Sequence, residues 1–132
     1  MNSASESREP IGILVADDHA AFRAGLGALL GSMAGLRLMG EASDGETAVA
    51  RTTELQPDVV IMDLNMPGLD GIEATRRIRA LPGQAGRVPV IGISGRSGSG
   101  EEAAARVAGM NFYFVKPVSP GKLAQTLAFL VT

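Results

Sequence analysis

Three unbroken apolar runs set the frame of this chain: Ile11–Ala16 (IGILVA), the core of Asp58–Asp63 (DVVIMD) and Val88–Ile93 (VPVIGI). Each is followed or closed by a polar residue. Runs of this length without alternation are what strands buried on both faces show. Leu36-Arg-Leu-Met-Gly40 and Phe112-Tyr-Phe-Val115 predict two further strands. Helical spacing fills the intervals. Phe22, Leu26, Leu29 and Leu30 recur on one face from His19 to Leu30, with Asp18 placed to cap the start and Gly31 suited to the stop. Ser43-Asp-Gly-Glu46 has the form of a capping box, which predicts a helix to about Leu55, ended by Pro57. Gly71–Ala80 predicts a helix with Ile72 and Ile78 inward and Arg76, Arg77 and Arg79 mostly outward. Glu101–Ala108 reads as a short helix with acids in its first turn, where the dipole favours them, and Ser119–Leu130 as the last helix. The segment Leu64–Asp70, with Pro67 and Gly68, must be loop.

Strands and helices thus alternate along the chain. That order argues an α/β fold with a parallel sheet covered on both faces. Right-handed crossovers favour a doubly wound sheet, in which sites lie at the carboxyl ends of the strands.

The 132 residues amount to one domain, assigned to 11–132 behind a polar arm at 1–10. A net charge of −2 lacks the basic footprint that direct nucleic-acid binding needs. No apolar run approaches the ~18–20 residues of a membrane span, so a cytoplasmic location is expected. The absence of cysteine removes disulfides and thiol chemistry, and one histidine, His19, leaves no His-rich metal site.

The strand ends carry the chemistry. Asp17 and Asp18 end the first strand, Asp63 the third, Ser94 the fourth and Lys116 the fifth. Three carboxylates brought together repel, and the ordinary cure is a bound divalent cation. Oxygen ligands alone select a hard ion, Mg²⁺ first. A lysine and a hydroxyl beside such a metal make a phosphoryl-transfer arrangement, with Asp63 as nucleophile.

Asp17-Asp18, then Met62-Asp-Leu-Asn-Met-Pro-Gly-Leu-Asp-Gly71, Ser94-Gly95 and Tyr113-Phe-Val-Lys-Pro117, resemble the receiver domain of two-component response regulators. The resemblance spans about Ile11 to Val131. It implies a five-stranded (βα)5 sheet of flavodoxin or CheY-like order 2-1-3-4-5. It implies that Asp63 accepts a phosphoryl group from a histidine kinase or a histidine phosphotransfer protein. Mg²⁺ would then be held by Asp18, Asp63 and the Asn65 backbone carbonyl, with Asp17 acting largely through water. Lys116 would pair with phosphoryl oxygens, Ser94 would hydrogen-bond one of them, and Tyr113 would turn inward as the switch aromatic. A cis Lys116–Pro117 peptide is implied as well. The fourth helix, fifth strand and fifth helix would form the surface read by a downstream protein target.

Other readings are weaker. No Gly-Lys-Ser/Thr triplet follows the glycine-rich stretch after Ser94, which rejects a P-loop, and no Gly-x-Gly-x-x-Gly follows the first strand, which rejects a dinucleotide site. A metal-dependent phosphatase or hydrolase on a similar sheet is the alternative. It wants a second acid just after the nucleophile, where Leu64 and Asn65 stand instead. His19 reads as a helix-start residue near the acids. Asn65 and Arg96, each two residues beyond a site residue, are expected to flank the path of an attacking water and to tune the phosphoryl lifetime. Asp17-Asp18-His19-x-x-Phe22-Arg23-x-Gly25-Leu26 resembles receivers with a helix-turn-helix output, whereas Gly109-Met-Asn111 and Lys116-Pro-Val118 resemble those of hybrid kinases; a single-domain regulator acting by protein contact is the expectation. Lys122 is the only charge after Lys116, so the charged pairs of one dimerising subgroup are missing and a monomer or weak dimer is expected.

Overall fold

The structure, a computed structural model, describes residues 10–95 and 99–130. Strand β1 (Ile11–Ala16) leads to α1 (Ala20–Gly31), β2 (Leu36–Ala42) to α2 (Gly45–Leu55), and β3 (Val59–Asp63) to α3 (Gly71–Arg79). A 3-10 turn at Gly83–Arg87 precedes β4 (Val90–Ser94), followed by α4 (Ser99–Ala108), β5 (Phe112–Val115) and α5 (Pro120–Leu130). The strands form one parallel sheet in the order β2-β1-β3-β4-β5. This is the doubly wound order expected, with its turning point beside β1.

The apolar runs divide between two cores because strand side chains alternate between faces. Ile13, Val15, Ile61, Ile91 and Ile93 pack beneath Leu26 and Leu30 of α1 and Leu123 and Leu127 of α5. Leu14, Ala16, Val60, Met62 and Val90 face the other way, against Ala48 of α2, Ala74 and Ile78 of α3, and Ala105 of α4. Each fully buried Val, Leu or Ile contributes about 1.5–3 kcal/mol relative to exposure.

Two helix starts differ from expectation. The cap of α2 is Asp44, not Ser43: its carboxylate accepts from the Thr47 N–H at 2.7 Å. A charged oxygen is the stronger acceptor, so the register moves by one residue. Asp18 does not cap α1; instead Asp17 Oδ1 accepts the His19 N–H at 2.7 Å, and His19 occupies the cap position. Asp70 caps α3 through the Glu73 N–H at 2.8 Å.

Arg79 is also placed differently. It is half-buried rather than outward, and it closes the end of the sheet remote from the carboxylates. Its guanidinium donates to the Gly109 carbonyl at 2.8 and 3.1 Å, to the Gly86 carbonyl at 3.1 Å and to Asn111 Oδ1 at 3.0 Å. Gly109 has φ of 112° there, a conformation that favours glycine, and a Cβ on it would meet the Arg79 side chain. Arg76 and Arg77 are exposed, as the pattern predicts.

Candidate functional site: an acid cluster at the strand ends

Parallel strands with these lengths bring residues far apart in sequence to one sheet edge. Asp63 closes β3, where it pairs in register with Ile93, one residue before Ser94. Ser94 closes β4 beside Val115, and the Lys116 N–H donates to the Ser94 carbonyl at 2.7 Å. Asp17 follows β1, and its N–H bonds the Ala42 carbonyl of β2. The structure therefore assembles Asp17, Asp18, Asp63, Ser94 and Lys116 at one end of the sheet. The Lys116–Pro117 peptide is cis.

Asp17 and Asp63 are buried, at 0% and 2% exposure, while Asp18 is more open. Ligand atoms of Asp17, Asp18, His19 and Asp63 all lie within 4.8 Å of one another. The Lys116 ammonium sits 2.8 Å from Asp17 Oδ2 and 3.7 Å from Asp63 Oδ2. The Phe22 ring lies beneath it, 4.2 Å from nitrogen to ring centre, and holds the cation from the protein side. Asp63 Oδ1 accepts the Asn65 N–H at 3.2 Å. Burial pushes the Asp63 carboxyl up to about 6; the Asn65 N–H and the Lys116 charge act against that, and the neighbouring Asp17 and Asp18 charges add to it.

The donor set fits a hard divalent cation. Asp17 Oδ2 is buried and accepts no hydrogen bond; the Lys116 ammonium beside it is an ion-pair partner. That single cation faces three clustered carboxylates, two of them buried, and such a cluster is costly unless further positive charge enters it. Hard oxygen donors suit Mg²⁺, Mn²⁺ or Ca²⁺.

Ser94 Oγ donates to Glu101 Oε1 on α4 at 2.6 Å, and the Tyr113 hydroxyl points to the same oxygen at 3.5 Å. In the sequence Glu101 reads only as an acid favoured by the helix dipole and Phe22 as a core residue. Nothing there marks Arg23, which donates to the Asp17 carbonyl at 2.7 Å and to Glu41 at 2.9 Å. His19 Nδ1 stands 3.3 Å from Asp17 Oδ1 and 3.2 Å from Asp18 Oδ1, on the open rim of the cluster. Only the apolar spacing of Phe22 was visible in sequence; the others needed the fold. Arg96 lies outside the described residues. Buried Leu64 and then Asn65 follow Asp63, so the second acid of a hydrolase is lacking.

Comparison with known proteins agrees with this geometry. Residues 13–128 match the response regulator receiver domain family. The nitrate/nitrite response regulator NarL of Escherichia coli K12 is 33% identical over 121 residues, 92% of this chain and 55% of NarL. A LuxR-family response regulator from Aurantimonas sp. SI85-9A1 superposes with a TM-score of 0.84 at 34% identity, covering 93% of this chain and 86% of that one. CheY of Borrelia burgdorferi, in a complex with CheX, BeF3 and Mg, gives a TM-score of 0.86 at 25% identity, over 97% and 94% of the two chains. The chain spans 32% to 55% of the length of the curated relatives GacA and NarL. No relative supports the hydrolase alternative. A doubly wound sheet, acids at its carboxyl edge and a family match from Ile13 to Ala128 lead to one conclusion: this chain belongs to the response regulator receiver domains of two-component signalling systems.

Proposed function

We propose that Asp63 is the phosphoryl acceptor of this receiver. The observation that carries the reading is its position: a carboxylate 2% exposed, beside two further carboxylates and 3.7 Å from the Lys116 ammonium. An Asp63 oxygen attacks phosphorus, the bond from phosphorus to the donor's histidine nitrogen breaks, and that nitrogen keeps the electron pair. Asp17, Asp18, Asp63 and the Asn65 backbone carbonyl would hold Mg²⁺. When bound, that ion supplies charge neutralisation for the incoming anionic group. Lys116, held over Phe22, pairs with phosphoryl oxygens, and buried Ser94 offers one of them its hydroxyl.

The donor class is a histidine kinase or a histidine phosphotransfer protein. The readout is a change in Ser94 and Tyr113 that alters the α4–β5–α5 surface for a downstream protein target. We place the action in the cytoplasm, on a domain of residues 11–132 behind the arm at 1–10, as a monomer or weak dimer without direct nucleic-acid contact. Among the described residues no helix is long and apolar enough to cross a membrane.

Acetyl phosphate with Mg²⁺ tests the reading. Intact mass should rise by one phosphoryl group, and neither Asp63→Asn nor EDTA-treated protein should show the rise. Equal labelling of Asp63→Asn overturns the assignment.

A further inference from the structure

We propose that Glu101 is the positioning residue that holds the resting state of this switch, by occupying the Ser94 hydroxyl until a phosphoryl oxygen displaces it. The inference rests on Asp63 as phosphoryl acceptor and adds a competitor that this reading does not contain.

The argument begins with one proton. A serine hydroxyl donates a single hydrogen bond, and that of Ser94 goes to Glu101 Oε1 at 2.6 Å. Such a short contact with a carboxylate is a charge-assisted bond, roughly twice as strong as a neutral one. Ser94 is fully buried, so water is a poor substitute partner. A phosphoryl oxygen on Asp63 needs the same proton. The two acceptors lie on different elements, Asp63 ending β3 and Glu101 in the first turn of α4, so the donor serves one at a time.

The same Glu101 oxygen lies 3.5 Å from the Tyr113 hydroxyl. One carboxylate therefore gathers both residues of the proposed switch, from β4 and β5, onto the start of α4. When Ser94 turns away, Glu101 loses its closest donor among the described residues and is repelled by the new anion that now holds that donor. Both changes favour outward movement of the first turn of α4, and the Tyr113 ring is released at the same step. Glu101 touches no reacting atom. It acts through Ser94.

Trifluoroberyllate with Mg²⁺ is the probe, since it mimics the phosphoryl group without chemistry. Tyr113 is the only tyrosine and the chain has no tryptophan, so its emission reports the site directly. Glu101→Ala should bind the probe roughly tenfold more tightly than wild type, the fold-change of one lost charge-assisted bond. Glu101→Gln keeps a carbonyl acceptor and should show a smaller gain; it carries the test if the alanine variant does not fold. In a Ser94→Ala background the gain from Glu101→Ala should vanish, because the competed donor is gone. Folded Glu101 variants that bind no more tightly than wild type overturn the proposal. So does a gain that persists without Ser94. Wild-type protein that fails to bind trifluoroberyllate with Mg²⁺ instead overturns the phosphoacceptor reading itself.

Discussion

The Lys116 ammonium stands 2.8 Å from Asp17 Oδ2, closer than it stands to the Asp63 carboxylate. A divalent cation drawn to Asp17 meets that ammonium as a competitor of like charge. Lys116→Met keeps the aliphatic stem on Phe22 and deletes the charge. Mg²⁺ affinity should rise roughly three- to tenfold by calorimetry, while phosphorylation by acetyl phosphate slows. A fall in Mg²⁺ affinity would count against the competition.

Asp63 links stability to pH. Its carboxyl titrates near 6 in the folded chain against an ordinary 3.8, because burial disfavours the charged form. The folded state therefore binds more protons than the unfolded state between these values, and stability must fall as pH rises through that window. In EDTA, urea unfolding should lose up to about 3 kcal/mol from pH 4 to pH 7 through this group. Asp63→Asn should flatten that slope and be the more stable protein at pH 7. A slope unchanged in Asp63→Asn would remove Asp63 as its source.

Glycines in helices separate two cases. Gly25 in α1 faces open space, so Gly25→Ala should stabilise by up to about 1 kcal/mol through helix propensity. Gly71 in the first turn of α3 lies against the chain at Asp63: a Cβ there would collide with the Asp63 carbonyl oxygen. Backbone cannot yield as a side chain can. Gly71→Ala should cost at least about 2 kcal/mol by urea unfolding and impair phosphorylation, despite the better helix former. Equal stability of the two variants would refute the steric argument.

Ser94→Ala should still accept phosphate on Asp63, since the nucleophile and the acid cluster are intact. What it should lose is the response. Phosphorylation-dependent NMR shifts in α4 and β5 should shrink to those explained by the new charge alone; wild-type shifts in the variant would uncouple Ser94 from the switch.

Sequence was most informative where burial is total. Strands β1, β3 and β4 show no exposed face, so their apolar runs and their polar ends could be read directly, and with them Asp17, Asp63 and Ser94. It was least informative where polar groups choose between partners. Ser43 and Asp44 both make plausible caps, and only the packed chain shows which carboxylate or hydroxyl reaches the Thr47 N–H. Arg79 sits in a row with Arg76 and Arg77, yet its partners lie at Gly86, Gly109 and Asn111, which periodicity within one helix cannot reveal. Glu101 is hidden for the same reason: its meaning depends on Ser94 and Tyr113, brought near by strand pairing.

The Arg79 clamp gives α4 unequal ends. Beyond its last turn, Gly109 and Asn111 are pinned to the guanidinium, and Asn111 Oδ1 also accepts the Val90 N–H of the central sheet at 2.8 Å. Among the described residues its first turn is tied to the sheet edge by hydroxyl contacts to Glu101, which in the proposed switch one incoming anion outbids. A rod fixed at one end and releasable at the other swings about the fixed end. Arg79 is then a fulcrum and Glu101 the tip of the lever, so a displacement of an ångström or less beside Asp63 is delivered largest at the start of α4 and dies out toward Ala108. Amide exchange graded along the helix, fastest near Glu101 and slowest near Ala108, is the signature of that motion.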